Sequence, residues 1–388
     1  MKVLMLGNGF DLSYGLLTKY SNFLNIVSYL EKQTLFADMK ISDIVGCAKL
    51  HEIDGSIARS YAQHKLAYEH VTCDINELAT LIHLVEDNIW FKYLQASFNR
   101  DVGWIDFEKE IGIVIQAFQQ FLKHAGRDFV TSRCVESDAE KYIIEYFHFF
   151  YVQKSPSPIA GAYRVHDDYL LEMPLGSKNY IINQEKVIGV LTKALQALAE
   201  ALRLYLKHFV QEVVEVLKAQ GNLTLNPLLS GAHSIITFNY TNTYEMIAGP
   251  SEVFHLHGAI DKQIVLGVNP DECDKVPTAD TMFISFKKYF QRVMARTDVA
   301  YIEWINSVLS MDYEIDLVVM GHSLDITDQD IIVELFEASQ NITILYHDEI
   351  AEAGYIANLV KIFGMEKFNE MRHVQNLKFV PQLSTASL

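Results

Sequence analysis

The chain is short of cysteine, of positive charge and of long uncharged apolar runs, and each shortage excludes something. Its four cysteines, Cys47, Cys73, Cys134 and Cys273, form no CxxC pair. That excludes a zinc knuckle and a dithiol redox motif. So few thiols in 388 residues fit a reducing compartment, and the expected location is cytoplasmic. Lysine and arginine total 32 against 49 aspartates and glutamates, a formal net charge of -17. A surface this acidic repels phosphate backbones at long range, which disfavours non-specific binding to nucleic acid or to an anionic membrane. It does not exclude a local basic pocket. No uncharged apolar stretch is long enough to span a bilayer. The short run after Lys2 is broken by Asn8 and Asp11, unlike a signal peptide.

What is present is ample for a core. Hydrophobic residues make up 50% of the chain, and at about 150 residues per domain the length points to roughly two domains. Compact β-type runs occur at the start, KVLML (2–6), and again after Gly221: SIITFN (234–239), EVFHLH (252–257), QIVLGV (263–268), EIDLVVMG (314–321) and ITILYH (342–347). They are apolar on both faces, the pattern of strands buried between helix layers in a parallel sheet. Helical stretches at 329–339 and 351–363 alternate with them, which indicates an α/β fold.

Residues from about 20 to 220 lack such runs and read as helices. In 185–219, Leu191, Leu195, Leu198, Leu202, Tyr205 and Phe209 recur at spacings of four and three, and Gly221 follows as a C′ glycine. One loop, 154–178, carries three prolines and two glycines. The expectation is a Rossmann-like parallel sheet in a discontinuous domain, 1–20 plus 222–388, interrupted by a large all-helical insertion at 21–221.

Four stretches carry the chemistry. In GNGFD (7–11), a strand runs through Gly7, Asn8 and Gly9 into a helix bearing Phe10 and Asp11. Such a turn points backbone N–H groups at one spot and suits an anion, or it is only a strand-to-helix turn. The dehydrogenase fingerprint is absent, since no glycine stands at the sixth position. In SIITFNYTNTYE (234–245), Thr237 and Asn239 stand at the carboxyl end of a strand, where open α/β sheets bind ligands. Asn239 there binds a sugar or an amide, or caps a helix. In VFHLHGAI (253–260), period two puts His255 and His257 on one face, and Gly258 frees space beside His257. His257 at that place is a general base, a core histidine or, last in rank, half of a metal pair. In DLVVMGHSLDITDQDI (316–331), a strand is followed by Gly321, His322 and Ser323, a second phosphate or ribose turn. Asp328 reads as the N-cap of the helix at 329–339 and therefore as structural.

These stretches, with WIDFEKEI (104–111) and FKKYFQR (286–292), resemble the motifs of the AbiH family of bacteriophage abortive-infection proteins. AbiH proteins are in turn similar, more remotely, to SIR2-like domains, which bind NAD. That resemblance implies a SIR2-like sheet, catalysis by Asn239 and His257, and NAD held as substrate or ligand by Gly7, Asn8, Gly9, Phe10, Asp11, Thr237, Gly258, Gly321, His322 and Ser323. Thr241 stands where sirtuins have an aspartate, and their paired-cysteine zinc module is missing. Both departures count against deacetylation and fit plain NAD hydrolysis. Trp104, Asp106 and Glu108 match the family's WxDxE pattern without a SIR2 counterpart; Trp104 and Glu108 share a helix face, read as packing.

The implied protein is a defence effector that needs no metal and acts on NAD or a related nucleotide. A phage-derived trigger, a second defence subunit and a homo-oligomer are the implied partners. Two other readings compete. One is a non-catalytic nucleotide-binding sensor or scaffold. The other is a metal-dependent nuclease built on His255, His257, His322 and Asp325, disfavoured by the net charge.

Overall fold

The computed structural model describes residues 1–34, 37–100, 105–125, 138–153, 162–172, 180–249, 251–268, 281–311 and 313–382. The chain divides into two compact units. One comprises Met1–Glu86, Ala199–Val265 and Gln291–Leu388; the other comprises Asp87–Leu198 and Leu266–Phe290. Cys134, Cys273 and Trp104 lie outside the described residues.

The first unit holds a six-stranded sheet: β1 (Lys2–Leu6), β2 (Ser234–Thr237), β3 (Glu252–His255), β4 (Ile315–Met320), β5 (Ser339–Tyr346) and β6 (Lys378–Pro381). Every pairing is parallel and the spatial order is β3-β2-β1-β4-β5-β6. This is the strand order of doubly wound dinucleotide-binding folds, with its reversal between β1 and β4. The central strand explains the apolar run that encodes it. Val3, Leu4, Met5 and Leu6 are all fully buried, as a strand covered on both faces requires. Val3, Met5, Ile236, Leu317, Val319, Ile342 and Ile344 join one core with Leu335 and Phe336 of the helix Gln329–Ala338 and Leu359 of the helix Glu349–Val374.

Two sequence expectations change. In QIVLGV (263–268), residues 264–268 are buried, yet the stretch adds no strand to the sheet; only Val268 makes an isolated bridge, to Lys287. An apolar run signals burial, and burial here is achieved without a ladder. The stretch 21–221 is mostly helical but not all-helical. Among the described residues it contains three antiparallel strand pairs: Met39–Lys40 with Thr72–Cys73, Phe150–Gln153 with Ala162–Val165, and Leu170–Glu172 with Tyr180–Ile182. The last two pairs draw strands from the stretch read as one loop. They are too short to show an alternating pattern.

The helix read over 185–219 forms as Gln184–Leu206, a π-helical turn Lys207–Gln211 and Glu212–Ala219. Gly221 closes it at φ 73°, and the Gly221 and Asn222 N–H groups reach back to the carbonyls of Lys218 and Leu217, a Schellman cap. Among the described residues no helix is long and apolar enough to cross a membrane.

Inside the second unit, the side chain of Asp106 caps the helix Phe107–Ala125 by accepting the N–H groups of Glu108 and Lys109 at 3.0 and 3.2 Å. Glu108 pairs with the fully buried Lys288 at 2.7 Å. Two motifs far apart in sequence therefore meet as an ion pair, so Glu108 does more than pack.

Candidate functional site

The site grows from the parallel register. Leu6 lies beside Thr237 on one side and Met320 on the other, so the chain leaves β1, β2 and β4 at one edge of the sheet. The helix α1 (Asn8–Ser13) begins directly after β1. Its entry turn is locked to the turn after β4: Gly7 N–H donates to Met320 O at 3.1 Å, and Gly9 N–H donates to Gly321 O at 2.8 Å. A Cβ on Gly7 would stand 2.6 Å from His322 Cα, and one on Gly9 would stand 2.6 Å from Gly321 Cα. Gly321 has φ +72°, and its own Cβ would fall 2.1 Å from Phe10 N. These glycines are therefore required by backbone packing where the strand order reverses. The two N–H groups that the sequence offered to an anion are engaged with carbonyls. Asn8 is exposed, with Nδ2 on Thr18 O at 3.2 Å; Phe10 points inward against the rings of Tyr14 and Tyr244.

Asn239 ties the second strand end to the first. Its Nδ2 donates to Gly7 O at 3.1 Å, its N–H donates to Thr237 Oγ1 at 3.1 Å, and its carbonyl accepts from His255 Nδ1 at 3.0 Å. It is not a helix cap, because the helix α2 (Thr243–Ala248) has Asn242 at that position. Buried Asp11 accepts the Thr241 hydroxyl on Oδ2 at 2.5 Å, while Oδ1 is buried without a partner. Burial pushes the Asp11 carboxyl up to about 6, although the Thr241 hydroxyl pulls the other way.

The two histidines of HLHG part company. β3 ends at His255, and His257 lies in the turn beyond it, so the period-two argument does not reach it. His255 Nε2 meets Glu245 Oε1 at 2.7 Å. Burial draws its basicity down, but the Glu245 carboxylate outweighs this and holds it above the usual histidine range. His257 instead meets Asp328, Nε2 to Oδ1 at 3.1 Å. Gly258 makes this turn at φ +81°, where a Cβ would strike Gln263 O at 2.1 Å, and Val265 N–H pins the His257 carbonyl at 2.7 Å.

His322 reaches the same carboxylate, Nε2 to Asp328 Oδ2 at 3.5 Å, and its Nδ1 accepts from Leu324 N–H at 3.0 Å. The Phe238 ring packs edge-on to His257, with centroids 5.1 Å apart, and against His322 at 4.2 Å. His257, His322 and Asp328 are all buried. Ser323 is exposed, and its carbonyl accepts from Asn358.

Asp328 is the residue that sequence reasoning missed. It occupies the N-cap position of the helix α3 (Gln329–Ala338), but its side chain makes no cap bond and turns to the histidines instead. The cap-like contact belongs to Asp325, whose Oδ1 accepts from Thr327 N–H at 3.1 Å. An aspartate before a helix has the same sequence signature in either role. Of the residues in the nuclease reading, His255 is therefore held by Glu245 and Asp325 by Thr327 N–H, whereas His257 and His322 share Asp328. Among the described residues no three His, Cys, Asp or Glu side chains converge to hold a metal ion.

No curated protein and no solved structure matches the chain. The family model described as "Bacteriophage abortive infection AbiH" matches residues 3–348, so the motifs that meet at this sheet edge are those of a defined family. The chain belongs to the bacteriophage abortive infection AbiH family, whose role is defence against phage by abortive infection.

Proposed function

We propose that this site hydrolyses NAD to nicotinamide and ADP-ribose, and that the loss of NAD is how the protein stops an infected cell. One observation carries the reading. Asn239, His257 and two glycine turns come together at the carboxyl edge of a 3-2-1-4-5-6 sheet, beside the point where its order reverses. Dinucleotides bind at that place in doubly wound folds. The SIR2-like resemblance gives catalysis to the same two residues.

The chemistry asks little of the protein. Water attacks C1′ of the nicotinamide ribose, and the C1′–N bond breaks. Its electron pair passes to the ring nitrogen, which leaves as neutral nicotinamide. The proton lost from the attacking water goes to His257. Asn239, fixed by Gly7 O, stands at the strand end to orient the ribose or the water. Burial of the imidazole and its Phe238 neighbour keeps bulk water from the base.

Removing the base tests this. His257→Ala is expected to lower NAD turnover by on the order of 10² to 10⁴-fold with the circular dichroism spectrum unchanged. Nicotinamide release by protein recovered from phage-infected cells is the measurement, and undiminished release would remove His257 from the mechanism. A second reading, a nucleotide-binding sensor, uses the same sheet edge without the proton transfer to His257. It predicts NAD binding without turnover and phage protection that survives His257→Ala.

A further inference from the structure

Two imidazoles and one carboxylate are buried together behind Phe238, and with the carboxylate ionised and both rings neutral their contacts set where the protons lie. Leu324 N–H donates to His322 Nδ1 at 3.0 Å, so that nitrogen is an acceptor. A neutral imidazole with an acceptor at Nδ1 carries its proton on Nε2. That nitrogen faces Asp328 Oδ2 at 3.5 Å. The other carboxylate oxygen, Oδ1, faces His257 Nε2 at 3.1 Å. A carboxylate only accepts, so His257 also presents an N–H on Nε2 and carries its lone pair on Nδ1.

We infer that Asp328 is the positioning residue of this site, holding His257 and His322 as Nε2–H tautomers so that Nδ1 is the nitrogen of His257 that takes up a proton. The chemical consequence rests on the NAD-hydrolysing reading; the tautomers do not. The proton from the attacking water moves to His257 Nδ1, and the imidazolium that results keeps its Nε2–H on the Asp328 carboxylate. The new positive charge is formed against a negative group already in place. His322 shares that carboxylate and packs at a tilt against the same Phe238 ring, so it steadies Asp328 from the other side. Leu324 accepts a φ of 54°, uncommon for a leucine, in the turn that delivers its N–H to His322.

The experiment is long-range ¹⁵N–¹H NMR of the full chain labelled in histidine, with the signals assigned from His257→Gln and His322→Gln. Both rings are expected as Nε2–H tautomers at pH 7.5, a readout that needs neither NAD nor turnover. A His257 ring found as the Nδ1–H tautomer overturns the inference, whatever the enzyme does with NAD. Asp328→Asn then tests the consequence. Its amide replaces one acceptor by a donor facing an N–H, so one ring must change tautomer or turn away. NAD turnover is expected to fall by on the order of 10² to 10⁴-fold, as when the carboxylate behind a catalytic imidazole is lost elsewhere. Wild-type tautomers together with wild-type turnover in Asp328→Asn would overturn the positioning role. If the tautomers are as inferred and infected cells never lose NAD, the hydrolysis reading fails and the proton arrangement stands.

Discussion

Asp11 shows at the scale of one residue what a site of this kind costs. It is 1% exposed, and its carboxyl is pushed up to about 6 by burial. An unfolded aspartate titrates near 3.9. Between those values the folded chain keeps a proton that the unfolded chain has released. Stability contributed by Asp11 therefore falls as pH climbs from about 4 to about 6, and above that the whole penalty of about 3 kcal/mol is in place. Asp11→Asn keeps an acceptor for the Thr241 hydroxyl and removes the charge. It is expected to raise the melting temperature at pH 7.5 and to leave it unchanged at pH 3.5. Equal stabilisation at both pH values would show that the charge is not the cause.

At the scale of elements, the turns after β1 and β4 behave as one piece. Gly9→Ala would press a methyl group onto Gly321 Cα, backbone against backbone, where no flexible side chain can yield. A loss of about 3 kcal/mol is expected in chemical denaturation. Gly354→Ala gives the contrast. It lies in the helix Glu349–Val374 with nothing within 4 Å of the added Cβ, and it is expected to stabilise by about 0.5–1 kcal/mol. If both changes cost the same, the interlocked turns have no special role.

The elements also mark how far the sequence could be read. Five of the six strands were legible because Val and Ile runs apolar on both faces have few other uses. β6, KFVP, is short, half-exposed and at the edge, so it leaves little pattern. QIVLGV was misread because apolarity reports burial and not pairing. Gly7, Gly9, Asn239, His257 and Gly321 were legible as residues at strand ends. Their partners were not. Asp328 looks the same whether it caps a helix or turns to two histidines 6 and 71 positions before it in the chain. The HLHG pair looked like one face because nothing in the letters shows that β3 stops at His255.

At the scale of the whole molecule, the second unit is tied internally by residues as far apart in sequence as Glu108 and Lys288. Lys288 is fully buried against Glu108 at 2.7 Å, and Ser97 donates to buried Glu110 at 2.7 Å. Removing one member of a buried ion pair costs about 3–5 kcal/mol, far more than the pair contributes over an apolar replacement. Glu108→Gln is expected to lower protection from hydrogen exchange across Phe107–Ala125, and the double change Glu108→Leu with Lys288→Met to restore most of it. Unchanged protection in Glu108→Gln would show that the pair is not structural.

The central claim, that this member of the AbiH family defends by destroying NAD, is met most directly by the NAD content of intact cells. Cells carrying the unmodified protein, cells carrying His257→Ala and cells carrying neither are sampled before and after phage infection. NAD is predicted to collapse only after infection and only with the unmodified protein. Steady NAD in infected cells that are still protected would contradict the claim.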